Sequence, residues 1–323
     1  MTRGHSGQDP TVVFAFVLAA GDLSAEVWSY GATLVGVQVP DRRGVAANVV
    51  RRHRSLTDYE DNGDYLGAAI GRYANRIAGG RFNLDGVAYQ VGMNDGPNHL
   101  HGGRIGFDQY VWQAEPDAGG EASVVFSHHS PDGDEGFPGN LDTRVRYTLG
   151  EDSLTIEYEA VTDAPTVVGL TNHAYWNLAG DKTISDHVLQ VHAEHYLPVD
   201  EGLIPLGAPA PVAGTGFDLR EPRRLGDAVA TGGFDHSYVL DDRAGLRVAA
   251  ELWDPASGRA MTVETDRDAL QVYTANYLDP PHTGVCLEAQ CAPDSPNQTA
   301  LGSAILRPGD TYRQLTRHSF TVR

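Results

Sequence analysis

The stretch Arg144-Val-Arg-Tyr-Thr-Leu-Gly-Glu-Asp-Ser-Leu-Thr-Ile-Glu-Tyr-Glu-Ala160 decides the fold class. Val145, Tyr147 and Leu149 alternate with Arg144, Arg146 and Thr148. After a Gly150-Glu-Asp-Ser153 break, Leu154, Ile156, Tyr158 and Ala160 alternate with Thr155, Glu157 and Glu159. Successive side chains of a strand point to opposite faces, so this period of two predicts an antiparallel hairpin with one face buried. Leu189, Val191 and Ala193 repeat the pattern against Gln190, His192 and Glu194, and Met261 and Val263 repeat it against Thr262 and Glu264. Helical periodicity is scarce: Ser55-Leu-Thr-Asp58 reads as a capping box opening one short helix. No strand–helix alternation is present, which argues against a parallel α/β sheet and for an all-β, antiparallel architecture.

Composition narrows the partners. The 323 residues carry 24 basic and 43 acidic side chains, a formal net charge of −19. That field repels phosphate backbones and anionic lipid, so neither nucleic acid nor a membrane surface is an expected partner. Cys286 and Cys291 are the only cysteines, too few for a disulfide framework and expected as reduced thiols. The N-terminal ten residues lack the basic-then-apolar layout of a signal peptide, and the apolar run Val12–Ala20 is too short to cross a bilayer and reads as a first strand. The expectation is a cytoplasmic protein with a disordered segment 1–10 and one domain over 11–323. Strand-like sequence flanks the Pro- and Gly-rich stretch Pro205–Gly216 on both sides, so it reads as a surface loop within that domain.

Four motifs place polar chemistry inside this framework. Gly169-Leu-Thr-Asn-His-Ala-Tyr-Trp-Asn-Leu-Ala-Gly180 sets His173 between Asn172 and Asn177 in an apolar, aromatic run, where each polar group needs a partner. Gly71-Arg-Tyr-Ala-Asn-Arg-Ile-Ala-Gly-Gly-Arg81 continues to Asn98-His-Leu-His-Gly-Gly103. Arg72, Arg76 and Arg81 offer donors that suit sugar oxygens, although one or two of them are expected to bind loop carbonyls instead. His99 and His101 share a face and could chelate a metal, but no glutamate follows in Gly102–Asp108 to complete such a site. The two glycines after His101 are expected to let backbone approach a ligand. In Gly232-Gly-Phe-Asp-His-Ser237, Asp235 is either a turn residue or an acceptor for ligand hydroxyls. In Val285-Cys-Leu-Glu-Ala-Gln-Cys291, Glu288 follows apolar residues, where a carboxylate is costly without a purpose. Phosphate-loop, dinucleotide and serine-hydrolase signatures are missing from the sequence.

Together these motifs resemble the aldose 1-epimerase (galactose mutarotase) family. The resemblance rests on the order of Gly-Arg-x-Ala-Asn-Arg-Ile, Leu-His-Gly-Gly, Asn-His-x-Tyr-Trp-Asn-Leu, Phe-Asp-His, Leu-Gln-Val-Tyr-Thr-x-Asn and Leu-Glu-x-Gln, and runs from Tyr30 to Gly309. It implies a large antiparallel β-sandwich, the supersandwich, with neither metal nor organic cofactor. It also implies interconversion of the α and β anomers of a free aldose of glucose or galactose type, with His173 as catalytic acid and Glu288 as base. Arg76, His101, Asp235 and Gln271 fall on its sugar-gripping positions. Trp176 departs from the family's expected phenylalanine, His99 from a smaller polar residue, and Arg51-Arg-His-Arg54 from a less basic stretch. These departures are expected at the rim of the site, where they bear on sugar preference. Glu288 fits a base because carboxylate is its ordinary state near neutrality, and His173 an acid because an anionic neighbour favours imidazolium. The alternatives are a family member for an unusual sugar or pathway intermediate, and a non-catalytic sugar-binding module. A monomer or a homodimer fits equally.

Overall fold

The computed structural model describes residues 12–61, 63–117, 119–180, 183–241 and 244–323; the expected disordered start, 1–10, lies outside them. The hairpin forms as read. Leu141–Leu149 pairs antiparallel with Ser153–Thr162, Leu149 opposite Leu154, so the turn falls on Gly150–Ser153, closed by the Gly150 N–H on the Ser153 carbonyl. Leu141, Thr143, Val145, Tyr147 and Leu149 are buried, with solvent-facing residues between them.

That hairpin is the middle of a nine-stranded antiparallel sheet. Ser123–Ser130 and then Gln113–Pro116 extend it on one side. On the other side follow Tyr312–Val322, Arg259–Thr265, Arg247–Trp253, Val188–Val191 and Arg223–Arg224. The C-terminal strand therefore lies between the hairpin and the strand of Met261 and Val263. A four-stranded sheet comprises Ala15–Ala20, Leu23–Trp28, Thr33–Pro40 and Ala46–Asn48. A six-stranded sheet runs Tyr175–Trp176, Val285–Gln290, Ala269–Tyr273, Asp235–Val239, His195–Tyr196 and Ala210–Pro211.

The buried faces of all three sheets share one hydrophobic core, which holds Val27 and Val37, Tyr147 and Ile156, and Val272 and Leu287. Polar groups entering it are bonded: Tyr147 donates to the Ala32 carbonyl at 2.7 Å and Gln314 Nε2 to the Ala289 carbonyl at 2.9 Å. The architecture is the large antiparallel β-sandwich that the motifs implied. Two α-helices occur among the described residues, Leu56–Glu60 and Leu225–Val229. The first carries the predicted capping box, with Ser55 and Asp58 bonding each other's backbone N–H. No helix of the described residues is long and apolar enough to cross a membrane.

Two readings need correction. The apolar run at 12–20 is a strand only from Ala15. It forms the edge of its sheet, so Val12, Phe14 and Val17 stay exposed while Leu18 reaches the core. Pro205–Gly216 is not wholly loop, because Ala210–Pro211 forms the edge of the six-stranded sheet, where a proline's missing N–H costs no ladder bond.

Candidate active site

One strand of the six-stranded sheet sets the site. In Val285–Gln290, Val285 and Leu287 face the main core, so alternation turns Cys286 and Glu288 to the opposite face. Register then places Gln271 opposite Glu288, with Tyr273 and Tyr175 flanking Cys286 on either side. On the next strand Asp235 stands opposite Tyr273. Residues remote in the chain thus share one wall.

His173 closes that wall from the segment between Thr171–Asn172 and Tyr175–Trp176. Its backbone is clamped on both sides: His173 N–H donates to the Ala68 carbonyl and Gly67 N–H donates to the His173 carbonyl, each at 2.9 Å. Gly67 has φ +69°, and a Cβ there would lie 2.0 Å from the Leu34 carbonyl oxygen, so only glycine permits this clamp. Asn172 and Asn177 are structural. Asn172 Nδ2 donates to the Gly67 carbonyl and Asn177 Nδ2 to that of Thr283.

Arg76, His101, His173, Asp235, Gln271 and Glu288, all six candidates, line a single cavity of about 170 Å³. His173 Nε2 lies 3.8 Å from Glu288 Oε1. Gln271 Nε2 donates to Asp235 Oδ1 at 2.7 Å, and Arg76 Nε donates to Asp95 Oδ2 at the same distance. Among the described residues, Glu288 Oε2 and Gln271 Oε1 are buried without a hydrogen-bond partner. Buried acceptors of that kind await a donor.

The three arginines part ways. Arg72 is buried and donates to the carbonyls of Ser130, Pro131, Pro138 and Gly139, so it ties loops together. Arg81 is exposed and bonds Gln90. Arg76 alone reaches the cavity.

His101 is held as a neutral donor. Its Nδ1 accepts the Asn75 N–H at 3.1 Å, so its proton sits on Nε2. Burial, and then the neighbouring His173, Arg76 and His99, hold its pKa well below the usual value. His99 and His101 part ways, as the missing glutamate led one to expect of a metal pair. His99 Nδ1 bonds the Gly92 carbonyl at 2.7 Å and its ring packs on Phe137. The ligand atoms of His101, His173 and Glu288 do converge within 4.8 Å of one another. A cation there would need the Nε2 lone pair of His101, which the Asn75 contact commits to a proton. The donor set therefore fits a polyol better than a metal.

Burial works against the charged forms of both His173 and Glu288. Burial lowers the His173 pKa to about 4, and burial together with Asp235 raises that of Glu288 well above the usual carboxyl range, with Arg76 opposing. Asp235 is raised by burial, against Arg76 and Gln271. The 3.8 Å approach favours an imidazolium–carboxylate pair, while loss of water from both groups opposes it and presses the imidazole and the carboxyl toward their neutral forms.

Other expectations shift too. The glycines after His101 accommodate protein rather than ligand: a Cβ on Gly102 would meet the Gly71 carbonyl at 1.7 Å, and one on Gly103 would strike Glu135. Trp176 and His99 are not at the rim. Trp176 is in the core against His318 and Phe320, and His99 lies behind the cavity wall. Tyr65, Tyr175, Tyr273, Tyr277 and Leu278 also line the cavity, with Tyr277 exposed at its mouth. Tyr65 packs on both His101 (4.8 Å) and His173 (5.8 Å). Alternation from Gln271 predicts Tyr273; Tyr65 and Tyr277 sit in loops, where no periodicity marks them.

A family model described as aldose 1-epimerase matches residues 15–319. The galactose mutarotase of Rattus norvegicus is 42% identical, covering 100% of this chain and 99% of its own. The aldose 1-epimerase of Escherichia coli is 38% identical over 90% of each chain. Among solved structures, a GalM/aldose epimerase homologue from C. elegans matches with TM-score 0.91 at 30% identity, covering 96% of this chain and 99% of its own. Galactose 1-epimerase from Lactobacillus acidophilus matches with TM-score 0.87 at 32% identity, covering 98% and 97%.

Proposed function

The chain belongs to the aldose 1-epimerase family and is an isomerase that interconverts sugar anomers; from that premise we propose that His173 and Glu288 carry the reaction on a free aldose of glucose or galactose type. The observation that carries this reading is the 3.8 Å between His173 Nε2 and Glu288 Oε1 inside the cavity. Ring opening moves protons at two oxygens bonded to the same carbon, the C1 hydroxyl and the ring oxygen. An acid and a base this close can address both at once.

Burial that presses both groups toward neutrality fits a ligand-triggered step. A C1 hydroxyl donating to Glu288 Oε2 supplies the partner that oxygen lacks, which favours the carboxylate. The proton given up by Glu288 is then held by His173 as imidazolium. Glu288 removes the C1 hydroxyl proton, His173 protonates the ring oxygen, the ring opens, C1–C2 rotates, and closure on the other face reverses both transfers. Each positioned group contributes roughly 10²–10⁴ in rate. Arg76, His101, Asp235 and Gln271 hold the ring hydroxyls, His101 as an Nε2–H donor and Asp235 as an acceptor, and so contribute through orientation. The galactose named for relatives supports that hexose as substrate.

Residues 11–323 act as one domain in this proposal, a reading supported by the core shared among the sheets. The free Cys286 and Cys291 suit a reducing compartment such as the cytoplasm. Polarimetry on fresh α-anomer, corrected for spontaneous drift, tests the assignment: His173→Asn and Glu288→Gln should each remove most catalysed mutarotation from a folded protein. Rates like those of the unaltered protein in both variants would defeat it.

A further inference from the structure

Glu288 has a visible neighbourhood of polar groups, whereas His173 has one side-chain contact at its far nitrogen: Cys286 Sγ lies 3.6 Å from His173 Nδ1, with both residues buried. The contact follows from the register. Cys286 and Glu288 are two residues apart on one strand and share a face, so the strand that presents Oε1 toward His173 Nε2 also presents the thiol toward Nδ1. One strand grips the imidazole at both nitrogens.

We propose that Cys286 is a positioning residue for the acid: its thiol is the hydrogen-bond partner of His173 Nδ1, orients Nε2 toward Glu288 and the cavity, and, as a weak acceptor, leaves the imidazolium a ready proton donor. The inference rests on the acid role of His173 proposed above. In the neutral ring Nδ1–H donates to the sulfur, which leaves the Nε2 lone pair facing Glu288 to receive its proton. When Nε2 takes that second proton, Nδ1–H stays on the sulfur, which accepts throughout. A carboxylate or carbonyl in that position would bind the Nδ1–H strongly, raise the proton affinity of the ring and make it a poorer acid toward a weakly basic ring oxygen. Burial first, then the nearby Glu288 and Asp235 charges, push the thiol up and keep it an S–H. The other groups facing His173 are Tyr175 beyond it in the chain, Tyr273 from the sheet, and Tyr65 and His101 from loops, all ring contacts. Asp235 and Arg76 act through Glu288 and His101. The His173 backbone carbonyl also bonds the ring and opposes the effect of burial; none of the other groups bonds Nδ1 among the described residues.

Two variants and two readouts test the role. In Cys286→Ala, kcat should fall roughly 3- to 10-fold, the worth of one hydrogen bond, with KM near that of the unaltered protein. Cys286→Ser, which replaces sulfur by a stronger acceptor, should restore orientation and move both limbs of the kcat/KM pH profile to higher pH. In ¹⁵N spectra of the unliganded protein, the His173 signals should report Nδ1–H in the unaltered protein and a redistributed tautomer population in Cys286→Ala. The spectra need no sugar, so a tautomer change supports positioning even if no aldose is turned over. An unchanged Nδ1 signal overturns the proposal whatever the rates, as do kcat and pH profiles in both variants that match the unaltered protein.

Discussion

Along Leu141–Leu149 buried residues alternate with solvent-facing ones, whereas every residue of Val285–Gln290 is buried. Both are antiparallel strands in large sheets, yet they meet different demands. The hairpin has water on one side, so its outer face is free to carry Arg144, Arg146, Glu157 and Glu159. The inner strand has the main core on one side and the cavity on the other. Its polar residues, Glu288 above all, are placed where burial opposes charge. The comparison teaches where this protein tolerates poor solvation: on the wall that has chemistry to do.

Replacing the cavity-side carboxyl should have the largest effect. Glu288→Gln is expected to lower the mutarotation rate by roughly 10²–10⁴. The folded-state pKa of Glu288 is raised, so its contribution to stability is present below the ordinary carboxyl pKa and is lost as pH rises through the folded value. The amide should therefore match or exceed the original thermal stability at pH 8. A variant that melts early there, with activity intact per folded molecule, would reverse the contrast between the sheets.

The complementary cut is Leu154→Ala in the hairpin, where Leu154 is fully buried. Denaturant unfolding should register a loss of about 2–5 kcal/mol, while kcat measured on folded protein stays unchanged.

Acidity should pull the two sides in opposite directions. Asp108, in the short 3-10 helix Phe107–Gln109 that follows His101, is raised to about 7 by burial, and its Oδ1 has no partner among the described residues. It stabilises at low pH and loses that contribution between about pH 4 and 7, an effect of up to about 4 kcal/mol. His318, packed on Trp176 in the nine-stranded sheet, is lowered by burial to about 4 and loses stability as pH falls from about 6.5 toward 4. In melting curves against pH, Asp108→Asn should gain on the unaltered protein as pH rises. His318→Gln should gain as pH falls, and equal slopes would remove the distinction.

The smallest effect separates two arginines four residues apart. Arg76→Met should lower kcat/KM about 10- to 100-fold, the worth of a charged hydrogen bond, with little change in melting. Arg72→Met should do the reverse, because four carbonyls lose their donor. If both variants lose only stability, Arg76 belongs with the loop ties.

Legibility in the sequence followed solvent. The hairpin, the capping box at Ser55 and the alternation at 259–265 were readable because polar and apolar residues there answer to water on one side. The six candidate site residues were reached through ordered motifs. Arg72 and Arg76 carry the same side chain in the same motif, and only the loops packed around each divide a structural role from a cavity one. The glycines after His101 were misassigned for the same reason: a sequence states that backbone comes close, but not to what.

The amino-acid order by itself determined strand periodicity, the antiparallel class, the scarcity of helix and the residue types available for acid, base and sugar contacts, because these depend on neighbours two to four residues apart. Tertiary structure alone decided that His173 and Glu288 stand 3.8 Å apart, that Cys286 backs the imidazole and that burial drives the pair toward its neutral forms. Distance and desolvation arise only when segments more than a hundred residues apart exclude water from a common space.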